Sequence, residues 1–366
     1  MIQRLPALTR EAYPLVLALA LGTLGGLAFA LARFPLAWML GPMCVVTVAS
    51  MMGLPVRLPL SFRNFMIVVL GVMLGGSFMP GIFDHVGEWL ITLGGLFAYV
   101  AIATGLLTMY FVRIGGYDPV TAFFAASPGG FNEMVMFGTA YGGDERLIAL
   151  THASRVLLVV LVIPFWFRFF GDYTPSTSAL PAIGGAPLGW FDVALLLACG
   201  IVGGIGAARL RLPAATLLGP LALSAAVHLA GISASKPPAL LVATAQVVIG
   251  TSVGCRFSGV PWQKIRSVIL KSLGATVVLL AITVVLAEIL SLASGVPIAE
   301  VTLAYAPGGL AEMSLVALAL HKDAAFVSTH HVARIMIVIL CVPISFRLIR
   351  HLAHRRRVQR AAPADD

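Results

Sequence analysis

The sequence predicts an all-α polytopic membrane protein built from a tandem, inverted repeat, and two observations carry that prediction. The first is composition: hydrophobic residues make up 59% of the 366-residue chain, charged residues only 11%, and the mean hydropathy is +0.98. Uncharged runs such as 14–32 and 237–255 reach the ~20 residues that a membrane-spanning helix needs. The runs lack the alternation of barrel strands, so helices are predicted and a soluble fold is excluded.

The second observation is an internal duplication. Residues 127–134 read SPGGFNEM, and residues 306–313, which lie 179 positions later, read APGGLAEM. Other elements recur at this offset or, before an inserted residue between Gly231 and Gly250, at an offset of 178. They are Gly25-Gly26 with Gly203-Gly204, Leu40-Gly41-Pro42 with Leu218-Gly219-Pro220, Asp144 with Asp323, His152 with His331, Arg155 with Arg334, and Pro164 with Pro343. The two copies span about 25–168 and 203–347.

Each copy contains six apolar segments. They are about 14–32, 36–56, 64–83, 89–112, 118–141 and 147–167 in the first copy, and 187–208, 213–235, 237–255, 267–292, 298–320 and 325–346 in the second. A stretch rich in Pro and Gly between them reads as a linker. The predicted organisation is a first membrane repeat over 1–171, a linker over 172–187, a second repeat over 188–350 and a basic cytoplasmic tail over 351–366.

The fifth segment of each copy is interrupted at its middle, by Pro128-Gly129-Gly130 and by Pro307-Gly308-Gly309. Proline removes a backbone donor and glycine carries an entropic cost, so a regular helix cannot continue there. Each half is ~10 residues, or about 15 Å of helix, which is half of a bilayer. The segment either crosses as a broken helix or turns back as a re-entrant hairpin.

The distribution of Lys and Arg separates these alternatives. If all twelve segments cross with the N-terminus inside, 13 basic residues are cytoplasmic and 9 are external. If both interrupted segments are re-entrant, the second copy inverts; 18 are then cytoplasmic and Arg33, Arg168, Lys236 and Lys322 are external. The second split fits the positive-inside rule better. We therefore predict ten spans and two hairpins in the bacterial inner membrane, with both termini cytoplasmic.

In that arrangement the two Pro-Gly-Gly tips enter from opposite faces and meet near the midplane. The N–H groups that follow Gly130 and Gly309 then begin half-helices with partial positive charge, which suits a carboxylate or another anion. The carbonyls that end the preceding half-helices suit a cation. The alternative is a tight turn between packed helices.

Two glutamates, Glu133 and Glu312, fall in the first turn after the tips. A carboxylate there either neutralises its own helix terminus or, in a low dielectric, couples transport to a proton or cation. Asn132 has Ala311 as its counterpart, so the two sites are not chemically symmetric.

Two arginines, Arg155 and Arg334, lie about two turns inside the sixth segments. A buried guanidinium needs a partner, and the glutamates or an anionic substrate are the candidates. His152 and His331 stand three residues earlier, on the same helix face. A proton relay, a substrate hydrogen bond and a satisfied core histidine are all open for them.

Other chemistry has little support in the sequence. Asp144 and Asp323 lie at segment junctions, where a helix N-cap is the expected role. No nucleotide loop, Ser-His-Asp set or spaced Cys/His cluster occurs. We therefore expect no catalytic residue, no metal, no cofactor and no enzymatic activity.

The two Pro-Gly-Gly motifs with their Glu-Met pairs, the Leu-Gly-Pro elements and the duplication give the chain a family resemblance. It resembles the AbrB-type duplicated bacterial membrane proteins over nearly its whole length, except the termini and linker. The resemblance implies a regulator of gene expression, and some members carry the label ammonia monooxygenase. It supplies no catalytic or binding residues. The name is shared with a small soluble DNA-binding protein whose fold this sequence does not resemble.

The sequence is consistent with three alternative functions. The first is a secondary transporter of a small anionic metabolite, coupled through Glu133 and Glu312. The second is a membrane sensor or regulator that affects transcription indirectly, because no loop is long enough for a DNA-binding or kinase domain. The third, an oxygenase, needs a metal or redox cofactor for which the sequence offers no ligands. The expected partners are the lipid bilayer and a small molecule or ion, without direct nucleic-acid binding.

Overall fold

A computed structural model describes residues 7–78, 81, 86–170, 189–235 and 238–361. The predicted linker and Lys236 lie outside these residues. Within the described ranges the chain forms 14 α-helices and no strand, which confirms the all-α prediction.

The helices fall into two equivalent sets of seven. The first set is α1 (Ala7–Leu31), α2 (Ala37–Met51), α3 (Leu60–Gly75), α4 (Val86–Arg113), α5 (Pro119–Ala126), α6 (Phe131–Ala140) and α7 (Glu145–Phe170). The second is α8 (Trp190–Arg209), α9 (Ala215–Leu229), α10 (Ala239–Cys255), α11 (Trp262–Ser294), α12 (Ile298–Tyr305), α13 (Leu310–Ala319) and α14 (Ala324–Ala361). The last helix runs beyond residue 351, where the tail was predicted to begin.

Six of the described helices are long and apolar enough to cross a membrane: α1, α4, α7, α8, α11 and α14. Four shorter ones, α2, α3, α9 and α10, have 15 to 17 residues. At 1.5 Å per residue they measure about 22–26 Å, less than the ~30 Å hydrocarbon core. The chain is a multi-pass membrane protein, and the count of ten spans stays a prediction.

The aspartates at the segment junctions cap helices as predicted. Asp144 Oδ1 accepts a hydrogen bond from the Leu147 N–H at the start of α7. Asp323 Oδ1 accepts from the N–H groups of Ala325 and Phe326 at the start of α14.

Each interrupted segment forms a re-entrant hairpin. In the first copy, the backbone N–H of Asp144, which follows α6, donates to Thr121 Oγ1 in the first turn of α5 over 2.8 Å. In the second copy, the Glu300 carboxylate in the first turn of α12 lies against the backbone of Asp323, which follows α13. The two ends of each segment therefore lie together, and neither segment crosses.

The direction of α4 and α11 shows that the copies are inverted. These two helices are equivalent under the duplication and pack against each other. Gly95, early in α4, contacts Leu290, late in α11, whereas Tyr110, late in α4, contacts Gly274, early in α11. Equivalent helices that run antiparallel belong to copies of opposite orientation, which confirms the predicted inverted repeat.

The duplicated glycines outside the hairpins are explained by helix crossings. A methyl group on Gly41 of α2 would overlap the backbone of Gly25 on α1, and one on Gly219 of α9 would overlap the backbone of Gly203 on α8. Small residues allow such close backbone approach between membrane helices. The Gly-Gly and Leu-Gly-Pro motifs therefore hold the first two helices of each copy together.

The orientation in the membrane gives a first testable prediction. Because basic residues favour the cytoplasmic side, Arg57→Cys and Lys264→Cys should label with an impermeant maleimide only after cells are permeabilised. Lys322→Cys, at the open end of the second hairpin, should label in intact cells. The background lacks the four natural cysteines. Labelling of Lys264→Cys but not Arg57→Cys in intact cells would contradict the topology.

Candidate functional site

The tips of the two hairpins meet at one cavity of about 300 Å³. Pro128-Gly129-Gly130 and Pro307-Gly308-Gly309 both line it. Gly129 packs against Val338 on α14, and Gly308 faces the equivalent Val159 on α7. Each tip therefore packs against a helix of the other copy. The two duplicated motifs, which lie 179 positions apart in the sequence, thus come together at one cavity.

The half-helices that follow the tips, α6 and α13, begin at the cavity. Gly130 and Gly309 are their N-cap residues. The first N–H groups of a helix have no partner within the helix and carry partial positive charge. The cavity therefore faces two helix N-termini, as the sequence predicted.

The glutamates fold back onto their own helix starts. Any side chain at Gly130 would overlap the Glu133 carboxylate, and any at Gly309 would overlap that of Glu312. This is the position that neutralises a helix terminus, and both residues also line the cavity. Glu312 is only 5% exposed, whereas Glu133 is half-buried.

The two tips differ in how well they are sealed. Asn132 is exposed, while its counterpart Ala311 is buried. The Asn132/Ala311 difference noted in the sequence thus coincides with an opening on the side of the first tip.

In the second copy, Arg334 binds the end of the half-helix before the tip. Its Nη1 donates to the carbonyl of Ala306 over 2.6 Å, and its Nη2 donates to that of Gly308 over 2.8 Å. Nη2 also donates to His331 Nδ1 over 2.8 Å. With 3% of its surface exposed, the guanidinium neutralises the negative end of α12 inside the protein.

Arg155 makes the equivalent but longer contacts. Its Nη1 lies 3.4 Å from the carbonyl oxygen of Ala126 and 3.3 Å from that of Ser127. Its Nη2 donates to His152 Nδ1 over 2.7 Å. The first hairpin is therefore held less tightly by its arginine than the second.

These contacts determine the tautomer of both histidines. An arginine can only donate, so Nδ1 of each ring accepts, and Nε2–H then donates to a carbonyl. The acceptors are Phe124 O at 2.9 Å from His152 and Leu303 O at 3.1 Å from His331. Both rings are neutral and fully hydrogen-bonded, which favours the core-histidine alternative over a proton relay.

The partners of the arginines differ from those that the sequence suggested. Among the described residues, neither Arg155 nor Arg334 forms an ion pair with Glu133 or Glu312; backbone carbonyls take that place. The reason is local: the turn at each tip exposes the last carbonyls of the preceding half-helix to the arginine. A guanidinium therefore occupies the position that the sequence analysis found suitable for a cation.

The cavity lining also includes residues that the sequence did not single out, among them Arg63 and Asn64 on α3, and Arg256 at the end of α10. The Arg256 guanidinium lies over the Phe131 ring, 4.4 Å from its centroid. The duplication gave no signal, because Arg63 corresponds to Leu241 or Val242 and Arg256 corresponds to Ser77.

Two outer cavities continue from the central one on this side. One of about 680 Å³ shares Arg63, Phe131 and Arg256 with it and reaches Arg57. The other, of about 400 Å³, shares Phe131 and Arg256 and reaches Arg146 and Lys264. The approach to the site is basic, which raises the local concentration of anions.

Comparison with known proteins places this architecture in a family. The family model described as AbrB, "Transition state regulatory protein AbrB", matches residues 38–350. The chain belongs to the AbrB family. It is similar to "Uncharacterized protein YhjN" of Bacillus subtilis (strain 168), with 27% identity over 368 residues that cover 94% of this chain and 95% of the relative. It is also similar to "Putative regulator AbrB" of Escherichia coli (strain K12), with 26% identity over 350 residues that cover 92% and 96%. Both similarities extend across both copies of the repeat.

Proposed function

We propose that this AbrB family protein is a secondary transporter of a small anionic metabolite. The observation that carries the proposal is the cavity at which two re-entrant tips from inverted copies meet. Transporters place their sites at such repeat interfaces, with half-helix N-termini directed at anionic groups. Four arginines line the cavity with those N-termini: Arg63, Arg155, Arg256 and Arg334.

The same contacts support a proposal for the ion that drives transport. Arg155 and Arg334 already hold the carbonyls that would otherwise coordinate a sodium ion. Among the described residues that line the cavity, the carboxylates are Glu133 and Glu312. Intramembrane carboxylates are a common element of proton pathways in transporters, so we propose coupling to protons through these two residues.

Proteoliposomes test both parts of the proposal. With an imposed pH gradient, acid outside, the wild type should accumulate one or more of labelled acetate, butyrate, succinate, glutamate and phosphate above empty liposomes. Glu312→Gln should retain binding but lose the dependence on the gradient. Glu288→Gln is the matched control, because this glutamate is exposed on α11.

Two outcomes would contradict the proposal. If none of these anions accumulates or stabilises the protein, the anion-transport function is wrong. If gradient-driven uptake persists in Glu133→Gln and Glu312→Gln and only thermal stability falls, the glutamates act as helix caps.

The name of the Escherichia coli relative, "Putative regulator AbrB", suggests a second function, regulation. A transporter that alters the concentration of an inducer changes transcription without contacting DNA. Under this interpretation, variants that lose transport should also lose any effect on gene expression. A transport-dead variant with full regulatory effect would favour a sensor.

A further inference from the structure

The charged residues around the central cavity are of two kinds: those that the duplication repeats in both copies and those that occur in one copy. The duplicated residues are Arg155, Arg334, Glu133 and Glu312, and their two positive and two negative charges balance. His152, the described histidine that lines the cavity, is neutral. The surplus of two positive charges comes from Arg63 and Arg256, which have no counterparts in the other copy. This surplus therefore lies on one side of the site.

Among the residues that the structure describes, these two arginines have no carboxylate partner in an ion pair. Both line the central cavity and the larger outer one, and both are half-buried. Within the part of the chain that the structure describes, the Arg63 side chain makes no hydrogen bond or ion pair, and Arg256 lies over Phe131. Arg256 is repelled by Arg63 and attracted by Glu312, but among the described residues it forms no ion pair with Glu312.

Two neighbouring guanidinium groups in a partly desolvated cavity repel each other, and an anion between them removes that repulsion. The planar guanidinium matches carboxylate and phosphate oxygens with paired hydrogen bonds. Asn64 and Asn132 line the same side and supply amide donors.

We propose that the site binds a small anion with two negative charges, a dicarboxylate or a phosphate, and that Arg63 and Arg256 bind the second charge. The first charge lies at the tips, where the duplicated charges balance and the half-helix N-termini attract it. The inference rests on the proposed anion site and adds the charge of the ligand and the residues that select it.

Succinate and butyrate provide the test because both have four carbon atoms and differ by one carboxylate. Thermal unfolding of the purified full chain is followed at constant ionic strength in sodium succinate, butyrate, phosphate or chloride. We expect succinate or phosphate to stabilise at concentrations about tenfold or more below butyrate, as an added charge-assisted pair implies. The succinate and phosphate arms identify which dianion is preferred.

The variants assign the preference to residues. Arg63→Gln and Arg256→Gln should reduce the advantage of the dianion to about twofold or less while butyrate binding changes little. Arg63→Lys and Arg256→Lys keep the charge without the planar fork and should retain part of the advantage, between the wild type and the glutamine variants, which also controls for misfolding. Arg57→Gln, in the outer cavity only, should retain the full preference.

The outcomes separate this inference from the function itself. Equal binding of butyrate and succinate by the wild type would contradict the proposed preference for a dianion, but it would remain consistent with an anion site. A preference that survives both glutamine variants overturns the role of Arg63 and Arg256. If no anion stabilises the protein more than chloride, the anion site fails and the inference fails with it.

Discussion

Arg334→Gln is expected to lower the free energy of unfolding by about 3–5 kcal/mol. The substitution leaves the carbonyls of Ala306 and Gly308 and the Nδ1 atom of His331 without their donor in a site with almost no solvent. Thermal unfolding in detergent and the yield of folded protein measure the effect. Arg155→Gln should have a smaller effect, because its carbonyl contacts are 3.3–3.5 Å long.

A second substitution tells the carbonyl contacts from an ion pair. If Arg334 neutralised Glu312, the double variant Arg334→Gln with Glu312→Gln would regain stability, because no buried charge would remain unpaired. The carbonyl contacts predict no recovery. The stability of Arg334→Lys should lie between that of the wild type and that of Arg334→Gln, because one ammonium group cannot reproduce the planar arrangement of donors in a guanidinium. Full recovery in the double variant would contradict the described geometry.

Gly219→Ala should lower the free energy of unfolding by about 3 kcal/mol, the upper end of the usual range for overpacking. The new methyl group would overlap the backbone of Gly203, and backbone cannot rotate away as a side chain does. Gly41→Ala should behave alike against Gly25. The measurement is the midpoint of thermal unfolding in detergent, with the free energy taken from denaturant titration.

Gly206→Ala is the matched control for the helix crossing. Gly206 lies in α8 and a methyl group there meets nothing within 4 Å, so alanine should be neutral or raise stability by about 0.5–1 kcal/mol through helix propensity. If Gly219→Ala and Gly206→Ala unfold at the same temperature, α8 and α9 do not cross as described.

The parts of the fold that the sequence predicted are those that the duplication repeats. The Pro-Gly-Gly tips and the capping aspartates each left a sequence pattern twice, so chance resemblance could be set aside. The inverted orientation was predicted from the distribution of Lys and Arg. The hydrogen bonds of Arg155 and Arg334 were not predictable in the same way. Their acceptors are backbone carbonyls, which every residue carries, and only the turn at the tip decides which are free.

Arg63 and Arg256 were missed for a different physical reason. Each stands near the end of an apolar segment, where a basic residue normally marks the membrane surface and contacts water. The packing of α3 and α10 near the tips turns that surface into the wall of a cavity. Nothing in the local sequence distinguishes an arginine at a cavity mouth from one at a lipid headgroup.

The hairpins also bear on how the gene could have doubled. The first copy contributes three long helices, α1, α4 and α7, and its hairpin returns to the side from which it came. With the short helices α2 and α3 both crossing, as the ten-span prediction has them, the first copy crosses an odd number of times. A head-to-tail fusion of two such units places the second one upside down without any extra helix. One tandem duplication therefore suffices to produce tips that enter from opposite sides. Each copy then has a surface that packs against the other copy in the inverted orientation.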